Sequence, residues 1–413
     1  MNRQKILHAL ALSIFGDSVG ANIIGMNREE IAKKYDFNSI EGFNNIIANI
    51  QPGQTIEEMP VIDIHNLAPV YNKEFRFSLD DCKQLHISYY SQLQLYIFEA
   101  LMNSSSTLPE DLLKEIALAY DRWYDSQIEP LSNNETYLSL QPEMNELRCD
   151  NADLLELMEE KRYQGTSIEE NVISLKEKIG EFFHKIIKNN TITTEKTVIT
   201  IPESDSLFEL VNAATIGLGC AIKGIPIKRT FVLAYKMSEL TTKNKYTQLS
   251  VACLAFLVQK IYDQQESILE SINELIELLN KIPDTDYFQS SLRIVQKEHI
   301  GAELTFRKDL ENKINKFKTL KNADNVLILL VFIMITLEQY QIAVEDLIEV
   351  MVNGTEAKIT NWDSRVLGGL SGFIYGIMKS DEKMSEQIKE VNVYTHVESI
   401  VEKFIELDQL KET

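Results

Sequence analysis

Few residues of this chain stand in patterns that do chemistry. Asp63-Ile64-His65 sets a carboxylate two positions from an imidazole, a pair able to begin a metal site, but Asp-x-His is common in loops and this one lies among prolines. The other histidines, His8, His86, His184, His299 and His396, are isolated, most of them on helical faces. Cys82, Cys149, Cys220 and Cys253 form no Cys-x-x-Cys pair, which argues against a zinc site or a disulfide framework and fits a reducing compartment. There is no glycine-rich phosphate loop and no nucleophile paired with a base. The most informative stretch is SYYSQLQLYIFEAL at 88–101. Leu93, Tyr96, Ile97, Ala100 and Leu101 recur at helical spacing, with Ser88 as N-cap. Its first turn nevertheless carries Tyr89 and Tyr90, where acids would be favoured by the helix dipole.

The elements that would position such residues are helical. Periodicity predicts helices over 3–15, 28–34, 88–103, 109–124, 151–162, 168–189, 204–221, 246–280, 286–318, 323–338, 340–352, 364–378 and 383–408. Asn27 before Arg-Glu-Glu and Ser380 before Asp-Glu-Lys read as N-caps. Two regions read otherwise: the proline-bearing 51–80, and NTITTEKTVITI at 190–201, whose β-branched alternation predicts a small hairpin. Val326–Ile335 is about half the length of a membrane span and reads as a buried helix. The basic, briefly apolar start lacks a small-x-small cleavage site and reads as a first helix. The expectation is one all-α domain over 1–413, with insertions at about 36–85 and 128–205 and a long charged helical hairpin over 263–320.

Sixty-two acids against forty-one bases give a formal charge of −21 and a pI near 4.8. Such a chain is repelled by phosphate backbones and attracted to basic surfaces. The expected partner is a protein with a basic surface, not nucleic acid or membrane, and the expected location is the cytoplasm.

Four segments, in order, resemble the ADP-ribosylglycohydrolase family, all-α hydrolases that include dinitrogenase-reductase-activating glycohydrolase and J1 crystallin. GDSVGANIIG at 16–25 is similar to the family's Gly-Asp-Ala-Leu-Gly opening. SYYSQLQLYIFEAL falls on its Thr-Asp-Asp-Thr-Gln helix, with Ser88 and Ser91 at the threonines and Tyr89 and Tyr90 at the aspartates. NAATIGLGCAIKG at 212–224 and SELTTKNKYTQLSVACLAFLVQKI at 238–261 resemble its Met-Arg-x-x-Pro-x-Gly helix and Leu-Thr-His loop. TNWDSRVLGGLSGFIYG at 360–376 resembles its Gly-Asp-x-Asp-Thr loop and final Ala-Gly-rich helix. The resemblance implies a compact orthogonal helical bundle. Independently of it, Gly368, Gly372 and Gly376, each costing about 1 kcal/mol of helix propensity, make sense where another helix backbone comes close.

The family's chemistry runs on two magnesium ions held between the Thr-Asp-Asp-Thr helix mouth and the Asp-x-Asp-Thr loop, where they hold ADP-ribose and orient a water. Residue by residue, the carry-over fails. The aspartates have become Tyr89 and Tyr90, and a phenol with a pKa near 10 is no magnesium ligand at neutral pH. Ile359 and Asn361 stand at the loop aspartates, Trp362 at the loop threonine, Thr242 at the substrate-loop histidine, and Asn212 and Thr215 at the motif arginine and proline. Ile24 stands where an acid follows the first motif. Asp363, next to Trp362, completes the expected remnant of the cleft.

The reading that follows is a non-catalytic binding protein without a cofactor, of immunity or antitoxin type, countering a toxin such as an ADP-ribosyltransferase. One alternative is an active magnesium-dependent ADP-ribosyl hydrolase with ligands relocated to Asp17, Asp80, Asp81 and Asp363; Ser78 or Asp80, and Asp363, read more economically as helix caps. Another is a metal-free sensor of ADP-ribose or a related nucleotide.

Overall fold

The computed structural model describes residues 2–21, 89–128, 207–263, 266–297, 309–310, 322–353 and 364–379, with positions 389, 394, 397, 398, 401 and 402. Among these residues there are eleven helices and no strand. The helices expected over 28–34, 151–162 and 168–189, the hairpin at 190–201, both insertions and most of 383–408 lie outside the described residues. The described residues pack as two units, 1–91 with 260–413, and 92–259.

The first unit is organised by α1 (Arg3–Ala21) and α11 (Ser364–Met378), the most extensively packed helix pair in the fold. The two run antiparallel, with His8, Leu12, Gly16 and Gly20 of α1 facing Gly376, Gly372, Gly368 and Ser364 of α11. At each glycine a Cβ would overlap a backbone carbonyl of the other helix, so the backbones meet directly. The glycine stripe is therefore a packing surface, as its spacing predicts. Ser364 Oγ donates to the Gly20 carbonyl at 2.6 Å and closes the interlock at one end.

Around this pair pack α10 (Val344–Asn353), against both α1 and α11, and α9 (Ala323–Gln339), against α11. Every residue of Val326–Ile335 is buried, so α9 is apolar all round because protein surrounds it all round. No described helix is long and apolar enough to cross a membrane. Against α9 lie α7 (Ile268–Leu279) and α8 (Asp286–Val295).

The helix expected over 246–280 is in fact two. α6 (Lys245–Asp263) ends, and Ser267 starts α7 with a capping box: its hydroxyl accepts from the Glu270 N–H, and the Glu270 carboxylate accepts from the Ser267 N–H at 2.9 Å. The long helix expected from 286 gives way at Val295, and α8 joins α7 through a tight turn in which Asp284 takes a left-handed conformation, φ 63°. Thr285 Oγ1 secures that turn by donating toward the Leu279 and Ile282 carbonyls.

The second unit takes in most of α2 (Tyr89–Asn103) and α6, with α3 (Pro109–Ile128), α4 (Phe208–Ile222) and α5 (Ile227–Ser238). Pro109 at the first helical position, with Glu110 and Asp111 behind it, starts α3. Gly217 of α4 lets the Ala255 carbonyl of α6 approach, and Gly219 lies against Leu101 of α2. The sequence reading missed α5. Its start is set by a Schellman close to α4: Ile225 N–H donates to Cys220 O at 2.9 Å, Gly224 N–H donates to Ala221 O at 3.0 Å, and Gly224 sits at φ 63°. Pro226 then opens the new helix, which packs on α3 and α4.

Candidate functional site

Two clusters of buried polar side chains could do chemistry, one in each unit. The first lies at the mouth of α2. Ser91 Oγ donates to Asp17 Oδ2 at 2.5 Å, and both residues are buried. Asp17 reaches this point because α1 is pressed onto α11: a Cβ built on Gly369 would lie 3.6 Å from the Asp17 Cβ. Tyr90 is buried beside Ser91, and the guanidinium carbon of Arg365 lies 4.8 Å from its ring centroid. Arg365 belongs to the first turn of α11 and is itself only 3% exposed. A cation at a helix N-terminus opposes the helix dipole, and a buried cation loses its hydration. The face of the Tyr90 ring offsets part of that cost.

The second cluster joins α3, α4 and the end of α5. Glu209, in the first turn of α4, accepts from Thr241 Oγ1 and lies 3.5 Å from the Tyr120 hydroxyl. Asn212 Nδ2 donates to that hydroxyl at 2.6 Å, and the Met237 sulfur lies 3.3 Å from it. Burial pushes the Glu209 carboxyl up to about 8, with hydrogen bonds from Thr241, Asn212 and Tyr120 offsetting part of the rise. Burial, and then the adjacent Glu209 charge, push the Tyr120 phenol well above its ordinary value. The next residue, Thr242, is fully buried and shapes the approach to α6: its hydroxyl accepts from Asn244 N–H, while Gln248 Nε2 donates to its carbonyl at 2.7 Å. Asn244 Oδ1 then caps α6 by accepting from the Tyr246 and Thr247 N–H groups.

Of the residues singled out from sequence, Tyr90 and Ser91 come together at the α2 mouth with Asp17. Tyr89 opens the same helix, and Thr242 belongs to the second unit. Ser88, Asp80, Asp81, Ile24, Ile359, Asn361, Trp362 and Asp363 lie outside the described residues. Sequence reasoning missed Arg365, Glu209 and Tyr120. Glu209 carried one usable signal, an acid opening an otherwise apolar helix; the pairing of Arg365 with Tyr90 has none, because the two lie far apart in the chain.

The two family ligand positions described at the α2 mouth, Tyr90 and Ser91, do not suit magnesium. A divalent hard cation needs several oxygen ligands, chiefly carboxylates. Tyr90 presents a ring covered by a cation, and Ser91 offers one neutral oxygen whose proton is given to Asp17. Among the described residues no group of three or more His, Cys, Asp or Glu side chains could hold a metal ion.

The all-helical architecture and the interlocked glycines of its first and last motif helices agree with the four resembling segments. The family profile described as ADP-ribosylglycohydrolase matches residues 1–413, and the chain belongs to that family. A search of curated proteins returned no match.

Proposed function

We propose that this chain is a non-catalytic binding protein built on the ADP-ribosylglycohydrolase scaffold, of the immunity or antitoxin type. The observation that carries the reading is the α2 mouth. A family aspartate position holds the Tyr90 ring under Arg365, and a family threonine position holds Ser91 bonded to Asp17. At these two positions packing and a side-chain hydrogen bond occupy the groups, which supports the reading. The acidic surface, −21 overall, supports a protein partner with a basic surface, such as a toxin with a basic active cleft.

The test is magnesium-dependent release of ADP-ribose from an ADP-ribosylated protein. The expected result is no release above the uncatalysed rate. Turnover that disappears in Asp80→Ala or Asp363→Ala would overturn the reading in favour of a hydrolase with relocated ligands. Calorimetry with ADP-ribose separates a pure protein binder, which gives no heat of binding, from a metal-free nucleotide sensor.

A further inference from the structure

We infer that Arg365 is the resident cation of the α2 mouth, a protein-borne positive charge standing in for the divalent metal that the family places there. The inference rests on the reading above that the metal ligands are gone, and it goes further by naming what took their place. Three observations converge on it. Arg365 lies in the first turn of α11, directly after the segment whose sequence resembles the family's ligand loop. Its guanidinium lies over the ring of Tyr90, the residue at a ligand position on the facing helix. It is only 3% exposed, so the fold keeps its positive charge inside the site.

A metal between α2 and α11 would link the two helices and neutralise carboxylates. The guanidinium does the linking through an aromatic face, for which carboxylates are not required. The exchange is self-consistent: with tyrosine at position 90 no carboxylate is left there to hold a metal, and the ring gives the guanidinium a face to rest on. An aspartate at position 90 would instead form an ion pair with Arg365. Tyr90, in the first turn of α2, supplies that face where the family has an acid.

The experiment is a double-mutant cycle on the full chain, read by thermal unfolding, alongside a magnesium titration of the wild type by calorimetry. Arg365→Met is expected to lower Tm by about 3–6 °C in the wild-type background. It should lower Tm by less than half as much in the Tyr90→Leu background, and by the full amount with Tyr90→Phe, which keeps the ring. Wild type should show no heat of magnesium binding and the same Tm in EDTA as in magnesium. Equal losses in the Leu and Phe backgrounds would overturn the inference, as would magnesium binding by the wild type. If Arg365→Met does not fold, Arg365→Lys carries the cycle, since it keeps the charge and loses the planar stacking. A chain that releases ADP-ribose sinks the functional reading, whereas additive losses in a chain without turnover sink only the role of Arg365.

Discussion

At the scale of single residues, the strongest leverage lies in buried carboxyls. Glu209 has an ordinary value of 4.5 and is held near 8 in the folded chain, so the native state keeps a proton that the unfolded chain gives up. Its contribution is fully present below pH 4.5 and is lost as the pH rises toward and through 8, an effect on the order of 5 kcal/mol across the window. Urea unfolding at pH 5, 7 and 9 should therefore show stability falling with pH in the wild type, and a flatter profile in Glu209→Gln, which stays neutral throughout. Identical profiles would place the slope elsewhere. At Asp17 the leverage is the hydrogen bond that its buried carboxyl accepts from Ser91. Ser91→Ala removes a donor from that buried carboxyl and is expected to cost about 1–3 kcal/mol, measured by the same denaturation. Ser91→Thr, which retains the hydroxyl, should recover most of it.

At the scale of elements, the α1–α11 interlock makes Gly372 behave oppositely to helix propensity, whereas Gly224 at the end of α4 is held by its backbone conformation alone. Gly372→Ala gains about 1 kcal/mol of propensity but drives a Cβ into the Leu12 carbonyl, and the net effect expected is a loss of about 2 kcal/mol or more. Gly224→Ala meets nothing within 4 Å and should cost only the left-handed strain, about 1–2 kcal/mol. Thermal unfolding of the two variants checks the order; a Gly372→Ala protein as stable as wild type would mean that the helices do not meet through their backbones. The same elements show what the sequence made legible. The glycine stripe, the buried run in α9 and the helix after Tyr89 could be read because each is a local periodicity. The break at Ser267 was also on the page as Ser-x-x-Glu, but the apolar pattern running through 246–280 masked it. The helix at Ile227–Ser238 escaped because Gly224 and Pro226 read as the end of one helix, without marking the start of the next. The tyrosines of the α2 mouth were visible as an anomaly. Arg365, which lies over Tyr90, and Asp17, which accepts from Ser91, were not, since each lies far from α2 in the chain and meets it only in the folded molecule.

At the scale of the whole molecule, charge is the dominant variable. The acids exceed the bases by twenty-one, and most of the described ion pairs are exposed: Arg3 with Glu398 and Glu402, Lys236 with Glu239, Lys114 with Asp111. Exposed pairs of this kind stabilise by less than about 1 kcal/mol each, so they do not offset the repulsion among the surplus carboxylates. Self-repulsion falls off within a screening length of about 10 Å at 0.1 M salt, and lengthens to about 30 Å at 0.01 M. Raising sodium chloride from about 0.01 to 0.3 M should therefore stabilise the isolated chain, seen as a higher Tm. The same change should weaken its association with a basic protein, chiefly through a slower on-rate, because long-range attraction steers the encounter and short-range packing holds the complex. Surface plasmon resonance across that salt range separates the two. An on-rate falling by tenfold or more with a nearly constant off-rate fits docking guided by the acidic surface. An on-rate indifferent to salt would mean that the partner recognises an uncharged face, and that the net charge serves solubility alone.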